Sequence, residues 1–282
     1  MAHSAEPEHD APLLARARAL LGRAAMAAAD ALLPPVCVAC GEASGAHGGL
    51  CPSCWSAVRW IERPFCEVTG APMAVDLGPG AVSPLAIALR PPYGRARAAA
   101  MHDGVAKRLV HRLKYEDDTS LAPRMARWME RAGGALLREC DMVVPVPLHR
   151  SRLVARRFNQ SAELARHLAR LAGRTHRPDA LCRTRATARQ VGMGRVARQR
   201  NVAGAFAVPD AVALHGARIV LVDDVLTTGA TVAAATRALR RAGAAHVDVV
   251  TFSRVDHGDD GTAFVEAAAA LDEAVTLDLG RP

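Results

Sequence analysis

The sequence predicts an α/β protein with a parallel sheet flanked by helices, preceded by a small cysteine-rich module. Two observations predict this arrangement. Short apolar segments alternate with amphipathic segments over the second half of the chain, which is the pattern of a parallel sheet with crossover helices. Two closely spaced cysteine pairs lie ahead of that half. The chain has 282 residues, of which 50% are hydrophobic, and this is enough for a sizeable core.

The first part of the chain contains a helix, the cysteine module and a connector. The helix is predicted over residues 11–33, and Pro34 and Pro35 end it. A segment rich in proline and glycine follows the cysteine module. We expect four units: an N-terminal helix (1–35), the cysteine module (36–75), an α/β domain (85–256) and an acidic C-terminal tail (257–282).

Within the α/β domain, apolar segments are predicted strands and amphipathic segments are predicted helices. The strands are 142–146, 219–222 and 247–252. The helices are 105–115, 120–138, 159–171 and 232–242. Gly173 and Gly243 follow two of these helices and suit the left-handed conformation that often ends a helix. Strands that alternate with helices in this way predict a parallel sheet.

The cysteine pairs Cys37-x2-Cys40 and Cys51-x2-Cys54 have the spacing of metal ligands. A two-residue spacer in a tight turn directs both thiolates at one ion, and two such turns complete a tetrahedral zinc site. Four buried thiols or a redox pair are the alternatives. We predict one structural zinc ion on these four cysteines. Three aromatic residues are expected to pack against the module: Trp55, Trp60 and Phe65.

The charge of the chain is uneven. Its 36 Lys and Arg outnumber 28 Asp and Glu, and residues 257–282 are acidic, so the rest is strongly basic. A basic body predicts a polyanionic partner, either a phosphorylated small molecule or nucleic acid, or else an arginine-rich solubilising surface. No uncharged apolar run reaches the roughly 18 residues of a membrane span, and charges interrupt the N-terminal apolar stretch. We expect a cytoplasmic protein without a membrane span.

The most informative segment is IVLVDDVLTTGAT at 219–231. Four apolar residues form a strand, Asp223 and Asp224 follow, and a hydroxyl-rich loop opens a helix. Ligands of open α/β sheets bind at the carboxyl ends of strands, and backbone N–H groups at a helix N-terminus bind phosphate. Adjacent carboxylates accept hydrogen bonds from two sugar hydroxyls. The segment therefore predicts a ribose 5-phosphate ligand, although a strand that merely ends in Asp-Asp before a capped helix is the alternative.

This segment resembles the phosphoribosyl pyrophosphate motif of the type I phosphoribosyltransferases. Further segments are similar to the ComF family of competence-associated, amidophosphoribosyltransferase-like proteins: PVPLHR (145–150), RRFNQ (156–160), RTRATARQ (183–190), RNV (200–202) and Phe206. The resemblance implies a type I phosphoribosyltransferase-like sheet preceded by a zinc ribbon. Two positions depart from the family. Arg157 replaces a glycine, and Thr69 replaces a cysteine after Cys66, so a second zinc is not expected.

The resemblance also implies the site residues. Asp223 and Asp224 would be the catalytic pair that holds the ribose hydroxyls, and magnesium would arrive with the pyrophosphate. The residues expected to bind phosphoribosyl pyrophosphate are Val225, Leu226, Thr227, Thr228, Gly229, Ala230 and Thr231, with His149, Arg150 and Arg152 on a pyrophosphate loop.

The segment 183–200, between the helix at 159–171 and the strand at 219–222, contains six arginines. They are Arg183, Arg185, Arg189, Arg195, Arg198 and Arg200. Type I transferases have a mobile loop at this point, so one interpretation is a lid that excludes water. A solvated basic loop and a contact surface for single-stranded DNA are the others.

Three functions stay open. The first is a phosphoribosyltransferase-like protein that binds phosphoribosyl pyrophosphate and acts in DNA uptake and natural transformation. The second is an active pentosyl-transferring glycosyltransferase in nucleotide salvage or metabolism. The third is a phosphoribosyl pyrophosphate sensor that acts through partners. The resemblance adds single-stranded DNA and a helicase-type competence ATPase as candidate partners.

Overall fold

A computed structural model describes residues 34–116, 118–149, 153, 158–185 and 195–255. Several predicted features lie outside these residues: the N-terminal helix at 11–33, the acidic tail from 257, Arg150, Arg152, Arg157 and Arg189.

The centre of the protein is a five-stranded parallel sheet with the strand order β1-β7-β6-β2-β3. Its strands are β1 (Ala96–Met101), β2 (Met142–Pro145), β3 (Thr175–His176), β6 (Arg218–Leu226) and β7 (His246–Arg254). The short strands β4 (Cys182–Arg183) and β5 (Phe206–Ala207) form a separate antiparallel pair. The predicted parallel sheet is confirmed. β1 was not predicted, because its alanine-rich sequence has helix propensity and becomes a strand through burial of all six residues.

Seven helices are described: α1 (Pro52–Ser56), α2 (Pro84–Leu89), α3 (Gly104–Tyr115), α4 (Ala122–Glu139), α5 (Gln160–Ala172), α6 (Arg195–Val202) and α7 (Ala230–Arg241). The four helices predicted from sequence correspond to α3, α4, α5 and α7, and Gly173 adopts a left-handed φ of +62° after α5. α2 was not predicted. It lies in the Pro/Gly-rich connector, where Pro84 suits a first helical turn and Ser83 caps it. None of the described helices combines the length and hydropathy that a bilayer span requires.

Both faces of the sheet are buried, which explains why its strands read as continuous apolar runs. Side chains alternate along β6, so Val220 and Val222 belong to one core and Ile219 and Leu221 belong to the other. The first core lies under α3, α4 and α5, and the second lies under α7. The cysteine module joins the first core, where Cys51, Cys54 and Val58 are buried, so it packs against the α/β domain.

β6 continues four residues past its predicted end at Val222, so Asp223 and Asp224 lie within the strand. On one side, β7 pairs with β6 as far as Leu226. On the other side, β2 ends at Pro145, which pairs with Val222. The last residues of β6 therefore have a strand neighbour on one side only, and a cleft opens where β2 stops.

Gly133 of α4 offers a test of how closely this helix packs on the sheet. A Cβ atom at position 133 would lie 2.7 Å from Val250 Cγ2 of β7. We predict that Gly133→Ala lowers the free energy of unfolding by about 1–3 kcal/mol, although alanine is the better helix former. Urea unfolding measures the change.

The matched control is Gly134→Ala in the next position of the same helix. Its Cβ would meet only the ends of the Arg138 and Glu130 side chains, at 3.3 and 3.6 Å. This substitution should raise the free energy of unfolding by up to about 1 kcal/mol. Equal effects of the two substitutions would contradict the close packing of α4 on β7.

Candidate functional site

The four paired cysteines come together in the structure. The sulfur atoms of Cys37, Cys40, Cys51 and Cys54 all lie within 4.8 Å of one another, and the Sγ atoms of Cys40 and Cys51 are 3.7 Å apart. A tetrahedral zinc ion with Zn–S bonds of about 2.3 Å separates its sulfur ligands by about 3.8 Å. The four thiols therefore fit one zinc ion, and within the described ranges no other group of metal-ligand side chains clusters this closely.

Local hydrogen bonds favour the thiolate form of two of these four cysteines, Cys37 and Cys51. The N–H groups of Ala39 and Cys54 donate to the Sγ atoms of Cys37 and Cys51, at 3.4 and 3.5 Å. The Ser53 hydroxyl lies 3.1 Å from Cys51 Sγ. This hydroxyl, with the Cys54 amide, lowers the pKa of Cys51 to about 6. A lowered pKa favours the thiolate, which is the form that binds metal.

A second turn repeats the geometry of the first cysteine pair. Gly41 donates its N–H to the carbonyl oxygen of Cys37 at 2.9 Å, and Gly70 does the same to Cys66 at 2.7 Å. Both glycines have a positive φ, of +79° and +65°. The sequences of the two turns, CVACG and CEVTG, differ at the second ligand, where Thr69 stands. The segment 66–86, called the second module from here on, therefore keeps the shape of the zinc-binding turn but lacks one of its cysteine ligands.

The second module also has a counterpart of the second cysteine pair, at the start of α2. Ser83 caps α2 as Cys51 caps α1, and Ser83 Oγ accepts the N–H of Ala86 at 3.3 Å. Cys66 Sγ accepts the N–H groups of Ser83 and Thr69 at 3.3 and 3.5 Å. Burial would raise the pKa of Cys66, but hydrogen bonds from Ser83 and Thr69 outweigh it and lower the pKa to about 7. Hydrogen bonds to Cys66 Sγ therefore link the two parts of the second module that a second zinc ion would otherwise link.

The candidate ligand cleft lies between the carboxyl ends of β2 and β6. α5 leads from β2 outward to β3, whereas α7 leads from β6 in the opposite direction to β7. A crevice where the connections diverge is the usual ligand position of open α/β sheets. The cavity has a volume of about 180 Å³. Five predicted residues line it: Asp223, Asp224, Val225, Thr227 and Thr231.

The two carboxylates at the end of β6 are held by different partners. Asp224 Oδ1 lies 2.9 Å from the Nζ atom of Lys114 on α3. Asp223 Oδ1 accepts a hydrogen bond from the Ser161 hydroxyl at 2.9 Å and another from the Asp224 N–H at 2.9 Å. Burial, with the charge of Asp224, raises the pKa of Asp223 to about 7. Near neutral pH the pair therefore carries less than two full negative charges.

The loop after β6 has the features of an anion site. Gly229 caps α7 with a φ of +78°, a conformation that favours glycine. The first N–H groups of α7 have no carbonyl partner earlier in the helix and can bind an anion. Thr228 Oγ1 is buried and has no hydrogen-bond partner among the described residues. Thr228 does not line the cavity itself, so the anion site rests on the backbone N–H groups at the start of α7 and on the Thr227 and Thr231 side chains.

Other predicted residues are placed less centrally. His149 follows β2 but does not line the cavity, and Thr228, Gly229 and Ala230 belong to the loop without lining it. Leu226 is buried. Arg183, from the arginine-rich segment, lines the cavity, and part of that segment forms the helix α6.

Three residues that line the cleft were missed: Lys114, Gln160 and Ser161. A signal for Lys114 was present, because it falls on the apolar stripe of α3 that Val110 and Leu113 define. A lysine on a buried helix face needs an anionic partner.

The fold and the cleft define a phosphoribosyltransferase-like domain joined to a zinc-ribbon module. A family model described as "Phosphoribosyl transferase domain" matches residues 159–262. Another, described as "Double zinc ribbon domain", matches residues 28–83, which include both repeated turns.

Comparison with three similar proteins shows the family to which the chain belongs. The chain is 34% identical over 212 residues to the DNA utilization protein YhgH of Salmonella typhimurium, covering 72% of this chain and 89% of that protein. It is 33% identical over 210 residues to YhgH of Escherichia coli K12, with the same coverage. It is 28% identical over 154 residues to Competence protein F of Haemophilus influenzae, covering 52% and 66%. The chain belongs to the ComF family.

We predict close to one zinc equivalent per chain. Cys40→Ser should remove it, because three thiolates and a hydroxyl bind zinc more weakly than four thiolates. Cys66→Ser is the matched control and should leave the zinc content unchanged. Metal analysis of the purified protein measures both. A wild-type content near two would show that the second module holds metal, and a content near zero would disprove the zinc ribbon.

We also predict a pH dependence of stability from Asp223. Its pKa is raised in the folded protein, so the folded state binds more protons than the unfolded state between about pH 4 and 7, and stability falls as the pH rises through that window. Asp223→Asn removes this loss. The free energy of unfolding of the variant, relative to that of the wild type, should be higher at pH 8 than at pH 5 by at least about 1 kcal/mol. Urea unfolding of both proteins at the two pH values measures this difference.

Asp179→Asn is the control for this pH series. Arg177 lowers the pKa of Asp179, so its carboxylate is stabilised in the folded state and its removal should bring no gain at pH 8. A gain for both variants, or for neither, would contradict the raised pKa of Asp223.

Proposed function

We propose that the cleft between β2 and β6 binds a ribose 5-phosphate ligand, with phosphoribosyl pyrophosphate as the leading candidate. One observation carries the proposal. The carboxylates of Asp223 and Asp224 and the hydroxyl-bearing residues Thr227 and Thr231 line a single cavity. Carboxylates accept hydrogen bonds from the ribose hydroxyls, while the loop and the N-terminus of α7 receive the 5-phosphate.

Lys114 contributes a positive charge to the cleft. Its ammonium group is paired with Asp224 at 2.9 Å. A ligand that carries several negative charges would lie beside this ammonium group, so its positive charge favours binding. Arg183 on the cavity wall adds a second cation.

The cleft also fits a magnesium ion that enters with pyrophosphate. Carboxylate and phosphate oxygens are the hard ligands that magnesium prefers, and Asp223 and Asp224 offer carboxylates. When bound, the ion would neutralise charge on the leaving pyrophosphate. A transferase would turn the ligand over and release pyrophosphate, whereas a sensor would only bind it. Measuring pyrophosphate release in the presence of candidate acceptors distinguishes the two functions.

The biological role that we propose is DNA uptake and natural transformation. The relatives named DNA utilization protein and Competence protein F support it. Single-stranded DNA and a helicase-type ATPase are the candidate partners that we propose for this role. The reduced thiols of a zinc ribbon fit a cytoplasmic location.

The test is a calorimetric titration with phosphoribosyl pyrophosphate and magnesium. The variant Asp223→Asn with Asp224→Asn should bind at least about tenfold more weakly, since a hydrogen bond to a charged group contributes about 1.5–3 kcal/mol. The control, Asp179→Asn with Asp210→Asn, removes the same charge from exposed positions and should bind like wild type. Equal affinities of the two double variants would disprove the role of the carboxylate pair.

A further inference from the structure

One helix lies between the zinc-ribbon module and the ligand cleft and contacts both of them. This helix, α3, carries Arg112 and Lys114 in its last turn. A guanidinium N–H of Arg112 donates to the carbonyl oxygen of Val38, which lies within the first cysteine pair. The ammonium group of Lys114 is 2.9 Å from Asp224 Oδ1 in the cleft. The same helical turn therefore contacts the ribbon through one side chain and the cleft through another.

The Arg112 side chain is held at two points. Besides its bond to Val38, it forms an ion pair with Asp118 at 2.7 Å, in the turn that follows α3. Both side chains of this pair are largely shielded from water, which makes the pair stronger than one on an open surface. The Val38 N–H donates to the Gly49 carbonyl oxygen at 3.0 Å, just ahead of the second cysteine pair. Arg112 therefore binds the ribbon where the two cysteine-bearing turns meet.

The side chains of Arg112 and Lys114 leave the helix in different directions. Residues two positions apart in an α-helix are separated by roughly 200° around its axis. The apolar side of α3, with the fully buried Leu109 and Leu113, packs in the first core. Apolar packing is non-directional, whereas hydrogen bonds have a preferred geometry. The bonds of Arg112 therefore fix the rotation of α3 about its axis, and this rotation determines where the Lys114 ammonium group lies.

We propose that Arg112 is a positioning residue, which ties the last turn of α3 to the ribbon and thereby holds Lys114 in the ligand cleft. The inference rests on the proposed function of this cleft. Its consequence is that the ribbon contributes to ligand affinity, although none of its described residues lines the cleft. A zinc ion on the four cysteines would hold the turn that Arg112 binds. Zinc and ligand should therefore each favour the binding of the other.

The first test measures the affinity for phosphoribosyl pyrophosphate with magnesium by calorimetry. Arg112→Gln should weaken binding by about three- to tenfold, because Lys114 keeps its charge but loses its fixed position. Arg112→Lys keeps a cationic donor for one of the two partners, so its affinity should lie between those of Arg112→Gln and wild type.

The matched control is Arg124→Gln on α4. Arg124 also donates to ribbon carbonyl oxygens, those of Gly48 and His47, at 3.0 and 2.8 Å, but no residue of its helix lines the cleft. This variant should bind the ligand like wild type. Equal weakening by Arg112→Gln and Arg124→Gln would overturn the proposal, because a general loosening of the ribbon would then explain both effects.

A double-mutant cycle separates positioning from a general structural role. Lys114→Met removes the ammonium group and should itself weaken binding by about tenfold or more. In that background, Arg112→Gln should change the affinity by less than about twofold, because no ammonium group is left to position. Additive effects of the two substitutions would overturn the proposal.

A measurement on the wild type does not depend on the folding of a variant. Because coupling is reciprocal, saturating ribose 5-phosphate should raise the apparent zinc affinity about three- to tenfold in competition with a chelator. Ribose 5-phosphate is the probe because it has no pyrophosphate to recruit magnesium, which the chelator would also bind. Asp223→Asn with Asp224→Asn should show no such effect. Equal zinc transfer with and without bound ribose 5-phosphate would overturn the proposal.

Failure of this inference and failure of the proposed function give different results. If the wild type binds neither phosphoribosyl pyrophosphate nor ribose 5-phosphate, the proposed function is disproved, and the inference with it. If the wild type binds both and folded Arg112→Gln binds equally well, only the role of Arg112 is disproved. Zinc content and urea unfolding show whether each variant is folded, and where Arg112→Gln does not fold, the zinc competition decides.

Discussion

Two carboxylates side by side at the end of a buried strand are the constraint on which the site depends. Like charges this close are costly in a partly buried setting unless other groups compensate them. Here α3 supplies the ammonium group of Lys114, and α5 supplies the hydroxyl of Ser161. The pKa of Asp223 is raised to about 7, so this carboxyl group is partly protonated near neutral pH. The packing of two helices on the sheet and the charge of the cleft are therefore set by the same pair of acids.

The ribbon module shows two solutions to the same structural problem. A module this small cannot bury enough apolar surface to hold its turns together, so it needs cross-links. The first half has four thiols placed for zinc, and the second half uses hydrogen bonds to Cys66. The ribbon is also fastened to the domain, because Arg124 of α4 donates to the carbonyl oxygen of Gly48 at 3.0 Å. A zinc ion on these cysteines would also help to position Trp55, which directly follows Cys54.

The sequence was informative where the signal is local and incomplete where the structure depends on distant contacts. The acidic pair and the loop before α7 were predictable, because strand, turn and helix follow one another within a dozen residues. Lys114 could be recognised as a cation on a buried helix face, but its partner Asp224 could not be predicted, since this pairing depends on how α3 docks against β6. The second ribbon half was hidden because Ser83 and Ala86 carry none of the cysteines that mark such a module. Trp55 and Trp60 were expected to pack on the ribbon, but only the fold brings Trp128 of α4 to them.

One row of the sheet connects the ligand cleft with the ribbon. Val225 at the cleft pairs with Ser253, Ser253 pairs with Ala100, and Ala100 bridges to Trp60. Three inter-strand steps of about 4.8 Å make the row roughly 14 Å long. Ser253 and Ala100 are fully buried, so the row belongs to the packed core of the sheet. The segment that follows the first ribbon half is therefore held against the same sheet whose carboxyl edge forms the cleft.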